Sequence, residues 1–235
     1  MLNKDEILDL LSKEKDLTAG ISANIIHGGV KYVYAENDGV CIITQAGIPM
    51  TYAVSDEASH KMFSLLADIE CCVCCHRVEV NDLKAKFKNI TCNKACWQVL
   101  YDKQVSSPEI SGLVIKRLPV EDEYIDFVTN SYTLHYGREH IKKTMENAGI
   151  YAAYINGEIA GYIGSHEELS IGLLEVMPAY RNSGVGTNLL NFMINKFEKE
   201  GLIPYAQIVY GNVKCYNMHV KMGYIINPKL IYWCY

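Results

Sequence analysis

The chain has 235 residues, 49% of them hydrophobic, and a net charge of −5. That is room for one large domain or two small ones, burying about 70% of the unfolded surface. The acidic balance argues against a dedicated duplex nucleic-acid binder, and no apolar run reaches the length of a membrane span.

Taken in chain order, residues 1–15 form an amphipathic helix with Leu2, Ile7, Leu8 and Leu11 on one stripe. This start lacks the basic end and apolar core of an export signal, so a cytoplasmic protein is expected. Strands follow over 30–35 and 40–44 around the turn Glu36-Asn37-Asp38-Gly39, and over 50–54. Residues 55–67 read as a helix with Ser55 at its N-cap. A strand over 71–78, a short helix over 81–87 and a strand over 95–101 complete the first half.

Nine cysteines, an odd number without an export signal, do not make disulfides the default. Cys71, Cys72, Cys74, Cys75 and His76, with Cys92 and Cys96 nearby, invite a metal-site reading. On a strand, however, neighbouring side chains point to opposite faces, and cysteine packs as a small buried hydrophobe. Structural cysteine is the expectation and a metal site the alternative.

The polar stretch 102–112, containing Ser106-Ser107-Pro108, reads as a linker. It separates an N-terminal α/β domain, 1–108, from a C-terminal domain, 109–235. No sequence repeat is visible. In the second half, strand 112–118 precedes helices 120–132 and 138–148. Strands 150–155 and 158–164 flank Asn156-Gly157, a strong hairpin signal. Strand 171–177 leads to helix 185–200, whose buried face is marked by Leu189, Leu190, Met193 and Phe197, with Gly201 as its cap. Strand 204–209, helix 213–222 and a hairpin of 224–227 with 230–234 end the chain.

Between strand 171–177 and helix 185–200 lies Arg181-Asn182-Ser183-Gly184-Val185-Gly186. The first N–H groups of a helix lack partners, and the helix dipole adds positive charge there, so such a turn binds phosphate. The dinucleotide fingerprint and the P-loop pattern are both absent. A short G-x-G turn alone is also compatible with a purely structural turn.

Two stretches together carry a family resemblance: Leu174-x-Val176-x-Pro178-x-Tyr180-Arg181-x-x-Gly184-x-Gly186, and Asn212-x-x-Cys215-x-x-Met218-His219-x-Lys221-x-Gly223-Tyr224. In this element order they resemble the GNAT superfamily of acyl-CoA-dependent N-acyltransferases, over about 110–235. The nearest branch looks like the glycine N-acyltransferase-like group, which has an N-terminal extension and commonly His where the wider family has Tyr. The resemblance implies an α/β (α+β) fold with a mixed, splayed β-sheet flanked by helices. The N-terminal domain then reads as a degenerate GNAT-like unit without a cofactor loop.

The implied activity is transfer of an acetyl group from acetyl-CoA, the acyl-donor cosubstrate, to a primary amine by direct attack in a ternary complex, without a metal. A non-catalytic CoA-binding regulatory module is the alternative. The implied acceptor is a small-molecule or peptide amine, with no nucleic-acid or membrane partner, in a monomer or homodimer.

By the same resemblance, backbone groups of Val176 and Met177 pair with the pantetheine arm, and the Val176 N–H faces the thioester oxygen. The amides of Asn182, Ser183, Gly184, Val185, Gly186 and Thr187 cradle the pyrophosphate, with Arg181 assisting. Asn212 hydrogen-bonds the pantetheine, and His219 occupies the place of the general acid.

The chemistry itself asks for a neutral amine, oxyanion donors and a proton for the departing thiolate. Asn212 and His219, seven residues apart, are expected on one helix face; a packed histidine is the competing reading of His219. The base is open. The family's glutamate falls at Gly172 or Ser170 here, while Glu175 lies on the strand, either as base or as an ion-paired carboxylate, and Glu167 and Glu168 precede it. His135 and Tyr136 stand in the loop expected on the acceptor side. Cys215, where the family has Ala or Ser, reads as packing rather than as a nucleophile. The 17 tyrosines suit half-buried strands better than a nucleic-acid platform.

Overall fold

The structure is a computed structural model describing residues 1–103 and 105–235; Gln104, inside the expected linker, lies outside the described residues. In chain order the elements are α1 (Lys4–Ser12), α2 (Lys15–His27), β1 (Lys31–Glu36), β2 (Gly39–Ile43), β3 (Pro49–Ala53), α3 (Asp56–Leu65), β4 (Cys72–Cys74), α4 (Arg77–Lys86) and β5 (Lys94–Leu100). They continue with β6 (Val114–Arg117), α5 (Asp122–Ser131), α6 (Arg138–Asn147), β7 (Tyr151–Ile155), β8 (Glu158–Ser165), β9 (Ile171–Val176), a 3-10 turn (Pro178–Tyr180), α7 (Val185–Lys199), β10 (Tyr205–Val209), α8 (Val213–Lys221) and β11 (Leu230–Cys234). Apart from β6 and the 3-10 turn, the order α-α-β-β-β-α-β-α-β occurs twice.

The elements group into two compact units. One is Met1–Leu100 with Tyr205–Tyr235, the other Tyr101–Pro204. The grouping differs from a division near residue 108, because the closing strand of each half lies beside the other half's strand. β5 pairs with β10, and β11 pairs with both β4 and β5.

In the first unit the strands run β1-β2-β3-β4-β11-β5-β10. The β3–β4 pair is parallel and the other pairs are antiparallel. Strand alternation sorts its two faces. Val40, Ile42, Val73 and Cys75 pack with Ile7, Leu11, Leu17 and Ile25 of α1 and α2. Cys41, Cys72 and Cys74 pack with Met62, Phe63, Val80 and Leu83 of α3 and α4.

The cysteine cluster is thus divided between two cores, and burial pushes the Cys72 and Cys75 thiols well above the ordinary value. Among the described residues no group of three or more His, Cys, Asp or Glu is arranged to hold a metal. No described helix is long and apolar enough to cross a membrane.

Local chemistry explains most boundaries. Asn3 caps α1 by accepting from the Asp5 and Glu6 N–H groups, and Glu6 accepts the Asn3 N–H in return. Ser55 caps α3 by accepting from the Ala58 N–H at 3.2 Å. α2 was not anticipated; Leu17 to Ile25 are buried nearly all round, so no amphipathic stripe betrays it.

Three expectations are corrected. Strand 71–78 stops at Cys74, because the Glu79 carboxylate accepts the His76 N–H at 3.1 Å and starts α4 there. Residues 224–227 form no strand, since both edges of β11 are taken by β4 and β5. Cys92 and Cys234 form a disulfide: reciprocal backbone bonds between Thr91 and Tyr235, 2.7 and 2.9 Å, bring those cysteines together.

The second unit is an antiparallel meander, β6-β7-β8-β9. Helices α5 and α6 cover one face through Ile125, Val128, Ile141 and Met145, which pack on Ala152, Tyr162 and Leu173. On α7, Val185, Leu189, Leu190, Met193 and Phe197 are buried.

Candidate functional site

The site grows from the end of β9. The β8–β9 register steps from Tyr162↔Glu175 to Gly164↔Gly172, so β9 carries one extra residue. Leu173, buried and at φ +51°, absorbs this bulge. Beyond it the Met177 N–H donates to the Ala160 carbonyl at 2.9 Å. Alternation along an antiparallel ladder then turns the Val176 N–H and C=O to the other edge of β9.

The Met177 carbonyl accepts the Tyr180 N–H at 2.9 Å. Both backbone groups of Met177 therefore have partners inside the chain, and the Val176 N–H is the strand-end donor of the two.

Pro178–Tyr180 make one 3-10 turn, and Asn182 at φ +63° and Gly184 at φ +90° bend the chain into α7. Gly184 is required twice over. Its φ disfavours a side chain, and a Cβ there would overlap the Pro108 ring. The Pro108 carbonyl also accepts from Asn188 Nδ2 at 3.0 Å.

Helices α1–α6 each carry an acidic residue in the first turn, whereas α7 carries none. Its opening N–H groups have no carbonyl of their own helix to meet. Residues 182–187 thus have the donor set and the field that suit a pyrophosphate. The Arg181 side chain turns back instead: Nε donates to the Val176 carbonyl at 3.1 Å and Nη2 lies 3.3 Å from the Glu175 carboxylate.

One face of β8–β9 lies under the α5–α6 loop. Glu175 accepts from Thr133 Oγ1 at 2.6 Å and from Arg181, so both carboxylate oxygens are engaged. The Tyr162 hydroxyl meets Ser131 Oγ at 2.9 Å. Tyr136 stacks on His140 at 4.4 Å between ring centroids and meets His166 edge-on at 5.7 Å. The His166 imidazole stands over Gly172: a Cβ on Gly172 would overlap Nε2 and come within 2.6 Å of Cδ2. Sequence reading passed over His166, because only the β8–β9 hairpin brings it to Gly172. His135, at φ +51°, and Glu167 are exposed, while Glu168 is buried and accepts from Ser170 Oγ.

Asn212, Cys215 and His219 lie together on α8, in the first unit. Asn212 is the N-cap; its Oδ1 accepts the Cys215 N–H at 3.2 Å. It is exposed, whereas His219, two turns further along α8, is buried. His219 Nδ1 lies 2.8 Å from the Cys215 carbonyl, which can only accept, so Nδ1 carries the proton. Burial lowers the His219 pKa, the Cys215 bond acting against it. The Cys215 thiol is pushed up to about 11 by burial, which keeps it protonated and poorly nucleophilic.

Residues 117–224 match the family described as Acetyltransferase (GNAT) family. No curated protein matches the chain. Among solved structures, a Drosophila protein is similar at 14% identity with a TM-score of 0.66, over 99% of this chain and 96% of that one. A GCN5-related N-acetyltransferase from Kribbella flavida is similar at 10% identity and 0.54, over 97% and 94%. A GNAT-family protein from Novosphingobium aromaticivorans is similar at 16% and 0.52, over 97% and 95%. At these identities the likeness is one of fold, and the fold is the GNAT fold.

Proposed function

We propose that this chain, whose residues 117–224 match the GNAT acetyltransferase family, transfers an acyl group, most simply acetyl, from its coenzyme A thioester to a primary amine. The observation that carries this reading is the run from the β9 bulge through the outward Val176 N–H to the left-handed turn and the acid-free start of α7. Acetyl-CoA, when bound, supplies the activated acyl carbon as a thioester.

In this reading the amides of 182–187 bind its pyrophosphate, and the Val176 N–H donates to the oxygen on which charge develops. Asn212 uses its Oδ1 to cap α8. The amine attacks directly, since Cys215 stays a thiol. Glu175, tied to Thr133 and Arg181, holds the loop and the strand end together. His219 is neutral with its proton committed to Cys215, so we place it as an orienting residue of α8 rather than as a standing acid. The acceptor is a small-molecule or peptide amine.

The test is thiol release from acetyl-CoA over a panel of amines, with acetyl-CoA binding measured separately by calorimetry. We expect turnover on at least one amine and one equivalent of acetyl-CoA bound per chain. Binding without turnover on any amine would favour a non-catalytic CoA-binding module, and no binding would remove the reading.

A further inference from the structure

We infer that the end of β11 carries a disulfide with two positions: Cys234 is bonded to Cys92 in the structure and can be handed to Cys72. The device lies wholly within the first unit and does not depend on the acyltransfer reading. Strand alternation places Cys75 and Cys96 in the core under α1 and α2, whereas Cys41, Cys72, Cys74, Cys92 and Cys234 meet in the core under α3 and α4. In that second group Cys92 and Cys234, 142 residues apart, are already joined. Three thiols remain beside them, and strand register ranks these as partners for Cys234.

Cys72 stands directly opposite Cys234 in the antiparallel β4–β11 pair. Opposite residues have Cα atoms about 4.5–5.5 Å apart, inside the range of about 4.4–6.8 Å that a disulfide spans. Cys74 is opposite Tyr232, which makes it a diagonal neighbour of Cys234 at about 7–8 Å, outside that range. Cys41 belongs to β2, three strand spacings or about 14 Å from β11. Of the three, Cys72 alone can take Cys234 without moving a strand.

The two positions differ in the thiol they leave free. With Cys234 on Cys92, the last strand is tied to the segment leading into β5, and Cys72 is a buried thiol 3.9 Å from the Cys74 sulfur. With Cys234 on Cys72, the bond lies inside the β4–β11 ladder and Cys92 becomes the thiol. Cys92 is half-buried between the exposed Thr91 and Asn93, so a small thiol or disulfide can reach it. The transfer thus exchanges a buried thiol for an accessible one.

The step is thiol–disulfide exchange and needs no outside oxidant or reductant. Cys72 gives up its proton and its sulfur bonds to Cys234 Sγ. The Cys92–Cys234 bond breaks, and the Cys92 sulfur leaves with that electron pair and takes up a proton. Burial pushes the Cys72 thiol well above its ordinary value, which holds the bond on Cys92 while the strand end is closed. The next residue, Tyr235, is exposed and ends the chain, and chain ends open most readily.

The experiment maps disulfides in full-length wild type, Cys92→Ser and Cys72→Ser/Cys92→Ser. Each is equilibrated with reduced and oxidised glutathione, quenched with iodoacetamide and digested with trypsin without reduction, and thermal melting reports folding. The wild type is expected to show Cys92–Cys234 and a second population, in which Cys234 is joined to peptide 62–77 and Cys92 is alkylated or glutathionylated. Cys92→Ser is expected to lose alkylation at Cys234, now joined to 62–77, and the double variant to regain it.

A folded Cys92→Ser that keeps Cys234 as a free thiol or as its glutathione mixed disulfide would overturn the inference. So would a double variant that still joins Cys234 to peptide 62–77, since the partner would then not be Cys72. Should Cys92→Ser not fold, the wild-type map decides: Cys234 joined to nothing but Cys92 refutes the second position.

Discussion

His219 shows how burial decides what a motif residue does. It is 2% exposed, and its Nδ1–H is held by the Cys215 carbonyl. The chemistry expected from its place in the motif needs a protonated ring, whereas desolvation favours the neutral one. The pH consequence has a definite sign. The unfolded chain takes up a proton near pH 6.5, while the folded chain does so only at lower pH. Stability is therefore lost as pH falls below about 6.5 and is unaffected by this residue above it. Melting curves between pH 8 and pH 5 should fall more steeply for the wild type than for His219→Asn; parallel curves would contradict the buried neutral ring. The residue type and its helix were readable from spacing. The burial was not, because it depends on what α8 packs against.

At the scale of elements, the strand ends β3 and β9 invite comparison. The residue after each donates to a carbonyl at the start of the preceding strand or just before it: Val54 N–H to Asp38, next to β2, at 2.8 Å, and Met177 N–H to Ala160 of β8 at 2.9 Å. This leaves the N–H groups of Ala53 and Val176 each turned to the other edge of its own strand. In the first half the chain fills that place itself. Glu79, 0% exposed, accepts the Ala53 N–H with one oxygen, and with the other accepts Thr51 Oγ1 at 3.0 Å and the His76 N–H at 3.1 Å. The following helix, α3, is capped by Ser55 and opens on Asp56 and Glu57, which repel an anion.

Glu79→Ala leaves the Ala53 and His76 N–H groups without their carboxylate and the Thr51 hydroxyl with only the Val73 carbonyl. It should cost at least about 2 kcal/mol, read as a lower urea midpoint; an unchanged midpoint would show that the network contributes little. Sequence patterning reached most of these elements, because caps and turn residues act locally. Ser55, Asn156-Gly157 and Gly184 each mark a boundary that the structure keeps. It missed α2, which is apolar on nearly every side, and it extended β4 past Cys74, because the bond that starts α4 comes from a side chain three residues ahead. The left-handed turn at Gly184 was legible for the same local reason. The meeting of His166 with Gly172 was not, since their separation in sequence says nothing of which faces a hairpin brings together.

At the scale of the whole molecule, the order α-α-β-β-β-α-β-α-β stands twice in a chain without a visible sequence repeat. Packing tolerates many side chains in one arrangement, so architecture outlasts identity. The exchanged closing strands have a practical result. β11 lies between β4 and β5, and its Trp233 indole donates to Gln207 of β10 at 2.6 Å. Removing residues 229–235 should therefore unfold the first unit. Hydrogen exchange should show protection lost in β1–β5 and retained in β7–β9, and full protection of β3 and β4 in the truncated chain would refute this.

The same feature sets an order of events during synthesis. Domains commonly fold as they leave the ribosome, the N-terminal one first. Here residues 101–204 can close on themselves once they have emerged, while residues 1–100 wait, the edges of β4 and β5 unpaired, until β11 follows.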